Sequence, residues 1–152
     1  MPTRNAPTEW ELELAPATFR KLLARGEFRA ICDAAVRVES RSGLLFSFER
    51  MALRDAVKTP AGARLFATEL HAFLYGPGPQ QRRFNDWLEA LADLPQKGSP
   101  VLTWPVATVF GFIARPDRHM FFKPRATRRA AQRYGYALAY QSKPSWPLYQ
   151  TC

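Results

Sequence analysis

The sequence predicts an α+β fold that is mainly α: a compact bundle of about five helices, then a small sheet with one basic helix in the last third. Two observations carry that expectation. Between Pro16 and Pro95, apolar residues recur at helical spacing, with Thr, Pro and Gly marking starts and stops. Beyond residue 96 the chain turns to short runs of β-branched and aromatic residues, which is how strands read.

The elements follow in order. Met1 to Glu13 is polar and expected to fray, with Trp10, Leu12 and Leu14 alternating with acids as in a short edge strand. Pro16 suits a first helical turn, and the run TFRKLLARG closes at Gly26. Phe28, Ile31, Cys32 and Ala35 share one face of a second helix that stops near Ser42 and Gly43. A third is helical by propensity from Phe48 onward. Thr59 and Pro60 start the next as N-cap and first residue. Its stripe is Phe66, Leu70, Phe73 and Leu74, and Gly76 closes it. Phe84, Trp87, Leu88 and Leu91 repeat the pattern, and Pro95 stops it.

In the last third, periodicity does not choose the state of residues 101–114. Thr103 can cap a short buried helix with Pro105 in its first turn, or the run is a buried strand interrupted at Pro105. HMFFK and YALAY read as short strands, with PRATRRAAQRYG between them as a short helix ending at Gly135. That connector is long enough for a parallel crossover. The tail QSKPSWPLYQTC is too rich in proline to be regular.

A chain of 152 residues fits a single domain, 1–152, with 97–152 as a basic subregion. Cys32 and Cys152 form neither a disulfide framework nor a zinc pattern and are expected to be free thiols. No apolar stretch near the start resembles a signal peptide, and none approaches a membrane span, so the expected location is cytoplasmic. No cofactor and no metal are expected. His71 has no second His or Cys at metal spacing and reads as an interior or boundary residue. The GPGP turn lacks the preceding strand and the GK[ST] ending of a phosphate loop.

Charge is the most informative bulk property. From Met1 to Gln96 there are 13 Lys/Arg against 12 Asp/Glu, a net of +1; from Lys97 to Cys152 there are 9 against 1, a net of +8. Together these give the formal +9 of the chain. Like charge packed this densely repels unless a partner offsets it, which points to a polyanion. On a helix through 125–134, Arg125, Arg128, Arg129, Gln132 and Arg133 fall within an arc of about 140°, with alanines opposite. Guanidinium groups without interleaved acids suit phosphates. Arg118, Lys123 and Lys143 extend the patch, and Phe121, Phe122, Tyr136, Tyr140 and Trp146 either stack bases or pack a core.

The expected function is a nucleic-acid-binding module, DNA or RNA, that contacts phosphates through Arg118, Lys123, Arg125, Arg128, Arg129, Arg133 and Lys143. One alternative is a metal-independent, ribonuclease-like enzyme centred on His119, with Arg115, Arg118 and Lys123 stabilising phosphate charge. Another is an interaction module for an acidic protein partner. The segment LTWPVATVFGFIARPDRHMFFKP, then TRRAAQRYGY and the aromatic, proline-rich tail, resembles uncharacterised bacterial proteins with an LTWPxxTVFxFxAxPDRHMFxKP-like segment. The resemblance begins near LLFSFERMALRDAV. It implies that the basic third and the helices before it form one unit, and it brings no activity, cofactor or partner.

Overall fold

The computed structural model describes residues 8–96 and 101–119. Among them run seven helices: α1 (Glu9–Leu14), α2 (Pro16–Ala24), α3 (Phe28–Ser42), α4 (Ser47–Ala56), α5 (Pro60–Tyr75), α6 (Gln80–Asp93) and α7 (Trp104–Ala114). No helix among the described residues is long and apolar enough to cross a membrane.

Helices α2 to α6 start and stop where local chemistry dictates. Pro16 and Pro60 stand in the first turns of α2 and α5, and the Thr59 hydroxyl accepts from the Gly62 N–H at 2.9 Å. Gly43 ends α3 in the left-handed conformation at φ 66°, where a Cβ is penalised. The turn after it is fixed by Glu39, which is wholly buried. Its carboxylate accepts from Arg50 Nε at 2.7 Å, from Arg50 Nη2 at 3.1 Å and from the Leu45 N–H at 2.9 Å. That pair, which keeps Arg50 firmly protonated through its bond to Glu39, ties α3 to α4.

Helix α5 is the centre of the bundle and packs against α2, α3, α6 and α7. The predicted stripes Phe66, Leu70, Phe73, Leu74 and Phe84, Trp87, Leu88, Leu91 are all buried in one shared core. Rings interlock there: Phe73 stacks on Trp87 at 5.5 Å, and Phe66 meets Phe110 edge-on at 5.5 Å. The Trp87 indole N–H donates to the Ala107 carbonyl at 3.0 Å, locking α6 to α7. Cys32 is a buried free thiol with Sγ 3.5 Å from the Ala63 carbonyl, and burial pushes its pKa up to about 12. His71 is half-buried between the Phe19 and Tyr75 rings, at 5.2 and 5.6 Å.

Three expectations need correcting or completing. The fold class is all-α among the described residues, not α+β: every element is a helix and no sheet is present. The expected strands HMFFK and YALAY lie outside the described residues except for His119, which belongs to no strand. Residues 104–114 are helix because Thr103 caps the Val106 N–H at 3.4 Å and Pro105 sits where no N–H is required. Burial on nearly every side erased the helical period. The β-branched residues cause no conflict: the Thr108 hydroxyl donates back to the Trp104 carbonyl at 2.7 Å.

Residues 9–14, expected as a frayed end or edge strand, also form a helix. Thr8 and Glu11 make a reciprocal capping box, the Glu11 N–H to Thr8 Oγ1 at 3.1 Å and the Thr8 N–H to Glu11 Oε1 at 2.9 Å. Trp10 and Leu14, four residues apart, face the core, while Leu12 points to solvent. The Trp10 indole N–H donates to the Tyr75 hydroxyl at 3.0 Å, which donates to the Leu14 carbonyl at 3.3 Å.

Candidate functional site

The described part of the basic third is the end of α7 and the turn after it. Arg115 closes α7 with its N–H on the Gly111 carbonyl at 2.8 Å. The N–H groups of Arg118 and His119 then both return to the Arg115 carbonyl, at 3.0 and 3.1 Å. This tight turn folds His119 back over α7 at Gly111. A Cβ at Gly111 would lie 2.9 Å from the imidazole Cγ, so only glycine admits the ring there. Phe73 covers another side, centroid to centroid 5.0 Å, and Gln80 Nε2 lies 3.5 Å from Nδ1.

His119 is therefore 7 % exposed. Burial, then the charges of Arg115 and Arg83, push its pKa down to about 4, with Asp117 opposing and Arg118 reinforcing. At neutral pH the ring is uncharged and covered. Its geometry gives it a packing role: it seats the turn that carries Arg115 and Arg118.

The cations around it are held by the end of α5. Arg115 Nη1 donates to the Leu74 carbonyl at 3.0 Å, and Arg83 Nη1, from α6, donates to the Gly76 carbonyl at 3.0 Å. The last carbonyls of a helix favour cations for this reason. No acidic side chain among the described residues pairs with Arg83, Arg115 or Arg118; the ion pairs there involve Arg29, Arg37, Arg41, Arg50 and Lys58. The groove of about 570 Å³ between α3 and α4 shows the contrast. Of its five cations, Arg29, Arg37, Arg41 and Lys58 are matched by Asp33, Glu13, Glu9 and Asp55, and Arg54 donates to the Ser40 hydroxyl at 3.1 Å.

Of the residues singled out in the sequence, Arg115, Arg118 and His119 are brought together. Lys123, Arg125, Arg128, Arg129, Arg133 and Lys143 lie outside the described residues, as do the aromatics Phe121, Phe122, Tyr136, Tyr140 and Trp146. Arg83 and Gln80 were missed. Their signal was the run Gln80-Gln81-Arg82-Arg83 opening a helix, with a basic pair where acids are favoured. Among the described residues no three His, Cys, Asp or Glu side chains gather into a metal set. Comparison with protein-family models, with curated proteins and with solved structures finds no match for this chain.

Proposed function

We propose that this chain binds nucleic acid, contacting phosphates through the basic residues of its last third. The observation that supports this reading is the segregation of charge. Residues 1–96 carry 13 Lys/Arg and 12 Asp/Glu, and five of those cations (Arg29, Arg37, Arg41, Arg50 and Lys58) sit against acids of the same chain, whereas residues 97–152 hold 9 Lys/Arg and one acid. Arg115 and Arg118, the described members of that group, find backbone carbonyls or solvent but no carboxylate. Phosphates would supply the missing counter-charge, with Arg118, Lys123, Arg125, Arg128, Arg129, Arg133 and Lys143 as the contacts.

The test is a fluorescence titration with random-sequence DNA and RNA over a range of salt concentrations. Affinity is expected to fall with salt at a log–log slope of about −0.9 per phosphate contact on duplex DNA, or about −0.7 on single strands. Arg128→Gln and Arg129→Gln should each reduce that slope by about one contact. Absence of binding at low salt refutes the reading.

A further inference from the structure

We infer that the face of α4 formed by Phe48 and Met51 is a stacking platform for an unpaired nucleobase, with Arg54 beside it for the phosphate. The inference rests on the nucleic-acid reading and adds to it the form of the nucleic acid, a single strand. Three observations carry it.

The first is an open aromatic face. Phe48 is 57 % exposed and Met51, one helical turn on, is 62 % exposed. The rings of Phe46 and Phe48 stack at 5.7 Å with 12° between their planes. A ring stacked on one side and still more than half exposed has its other face in solvent. The core is met by a different side of α4, which buries Glu49, Ala52, Leu53 and Ala56. An aromatic face of this kind takes any base, because every base has a π-face, and the Met51 thioether packs well against ring edges.

The second is rigidity. The buried Glu49 carboxylate accepts from the Phe46 N–H at 2.9 Å, and the buried Glu39 carboxylate accepts from the Leu45 N–H at 2.9 Å. The backbone that carries the ring pair is thus pinned at two successive residues. A base arriving on Phe48 has little of the protein left to order.

The third is charge. Arg54 follows Met51 by one further turn, about 9 Å along the helix axis from Phe48. It donates to the Ser40 hydroxyl, and no acidic side chain among the described residues pairs with it. The other charges facing outward on α4 are matched within the chain, Arg50 by Glu39 and Asp55 by Lys58. A strand whose base lies on Phe48 therefore brings its phosphate to an unmatched guanidinium. Leu12, also strongly exposed, stands among Glu9, Glu11 and Glu13 of α1 and offers a polyanion no unmatched cation. A duplex keeps its bases paired and stacked inside, so Phe48 gains nothing from it.

The test titrates the full chain with three end-labelled probes: a single-stranded oligonucleotide of mixed sequence, the same sequence as a duplex, and inorganic polyphosphate as a polyanion without bases. Phe48→Ala should weaken single-strand binding about tenfold and leave duplex and polyphosphate binding unchanged. Phe48→Trp, which keeps an aromatic face, should keep the affinity. Arg54→Gln should lower the single-strand salt slope by about 0.7. Phe48 and Arg54 are exposed, so these variants keep their fold. Unchanged single-strand affinity in Phe48→Ala, or an equal loss for all three probes, overturns the platform and leaves the nucleic-acid reading standing. No binding of either nucleic acid by the wild type at low salt overturns that reading and the platform with it. Sedimentation velocity checks the competing occupant. If Phe48→Ala leaves strand binding intact but abolishes self-association of the wild type, a second copy covers the face and the platform is overturned.

Discussion

Acidification should unseat His119, and the size of the effect can be worked from its surroundings. The ring is 7 % exposed, and its pKa falls from an ordinary 6.5 to about 4 through burial and the nearby arginines. A depressed pKa means that the folded state prefers the neutral ring. The stabilisation is complete above the unfolded value near 6.5 and is lost as pH falls through the folded value near 4. At about 1.4 kcal/mol per unit, a shift of that size is worth about 3 kcal/mol. With a urea slope of about 1–3 kcal/mol per molar, the unfolding midpoint should drop by about 1–3 M from this group alone. Carboxylates contribute their own acid sensitivity: Glu13, held low by its bond to Arg37, is one. The informative quantity is therefore the difference between the wild type and His119→Gln, measured by urea denaturation from neutral pH down to pH 4. The wild type should lose about 3 kcal/mol more than the variant across that range. Parallel stability curves for the two proteins would refute the buried, neutral imidazole.

Three further outcomes follow from the packing. Gly111→Ala puts a methyl 2.9 Å from the His119 ring and should destabilise by about 1–3 kcal/mol, or expel the ring and return its pKa toward 6.5; denaturation and imidazole NMR check both. Glu39→Gln leaves Arg50 without its counter-charge in a largely covered position and should cost about 3 kcal/mol in chemical denaturation, with Glu39→Leu plus Arg50→Met recovering most of it. Gln81→Glu adds an acid to the exposed first turn of α6 and should raise stability by about 0.3–1 kcal/mol in chemical denaturation. A loss of stability in that variant would contradict the placement of the positive helix end.

The legible part of the sequence was whatever local chemistry decides. Pro16, Thr59, Pro60 and Gly43 mark helix ends by backbone and capping needs, and the stripe Phe66, Leu70, Phe73, Leu74 has the helical period because α5 has an outer face. α7 was undecidable because burial from Trp104 to Gly111 leaves no polar face to set a period. α1 was misread because Glu9, Glu11 and Glu13 alternate with Trp10, Leu12 and Leu14 at strand spacing. Thr8 and Glu11, the capping pair, were visible but unweighted. At the site, Arg115, Arg118 and His119 stood out because they are close in sequence. That His119 is packed away depends on Gly111 and Phe73, and Arg83 joins through α6, so only tertiary structure reveals either.

Helix α6 runs its charges against its own dipole. Arg82 and Arg83 sit in its first turn, and Asp86, Glu89 and Asp93 follow toward its end. Arg82 and Arg83 in the first turn and Asp93 in the last each forgo a few tenths of a kcal/mol that the reverse order would gain. The acids also crowd one another: burial, then Asp86 and Glu89, raise the pKa of Glu69 across the cleft. Stability alone would exchange these residues. An acid at position 81 would complement the dipole that Arg82 and Arg83 oppose, which is why Gln81→Glu should stabilise α6.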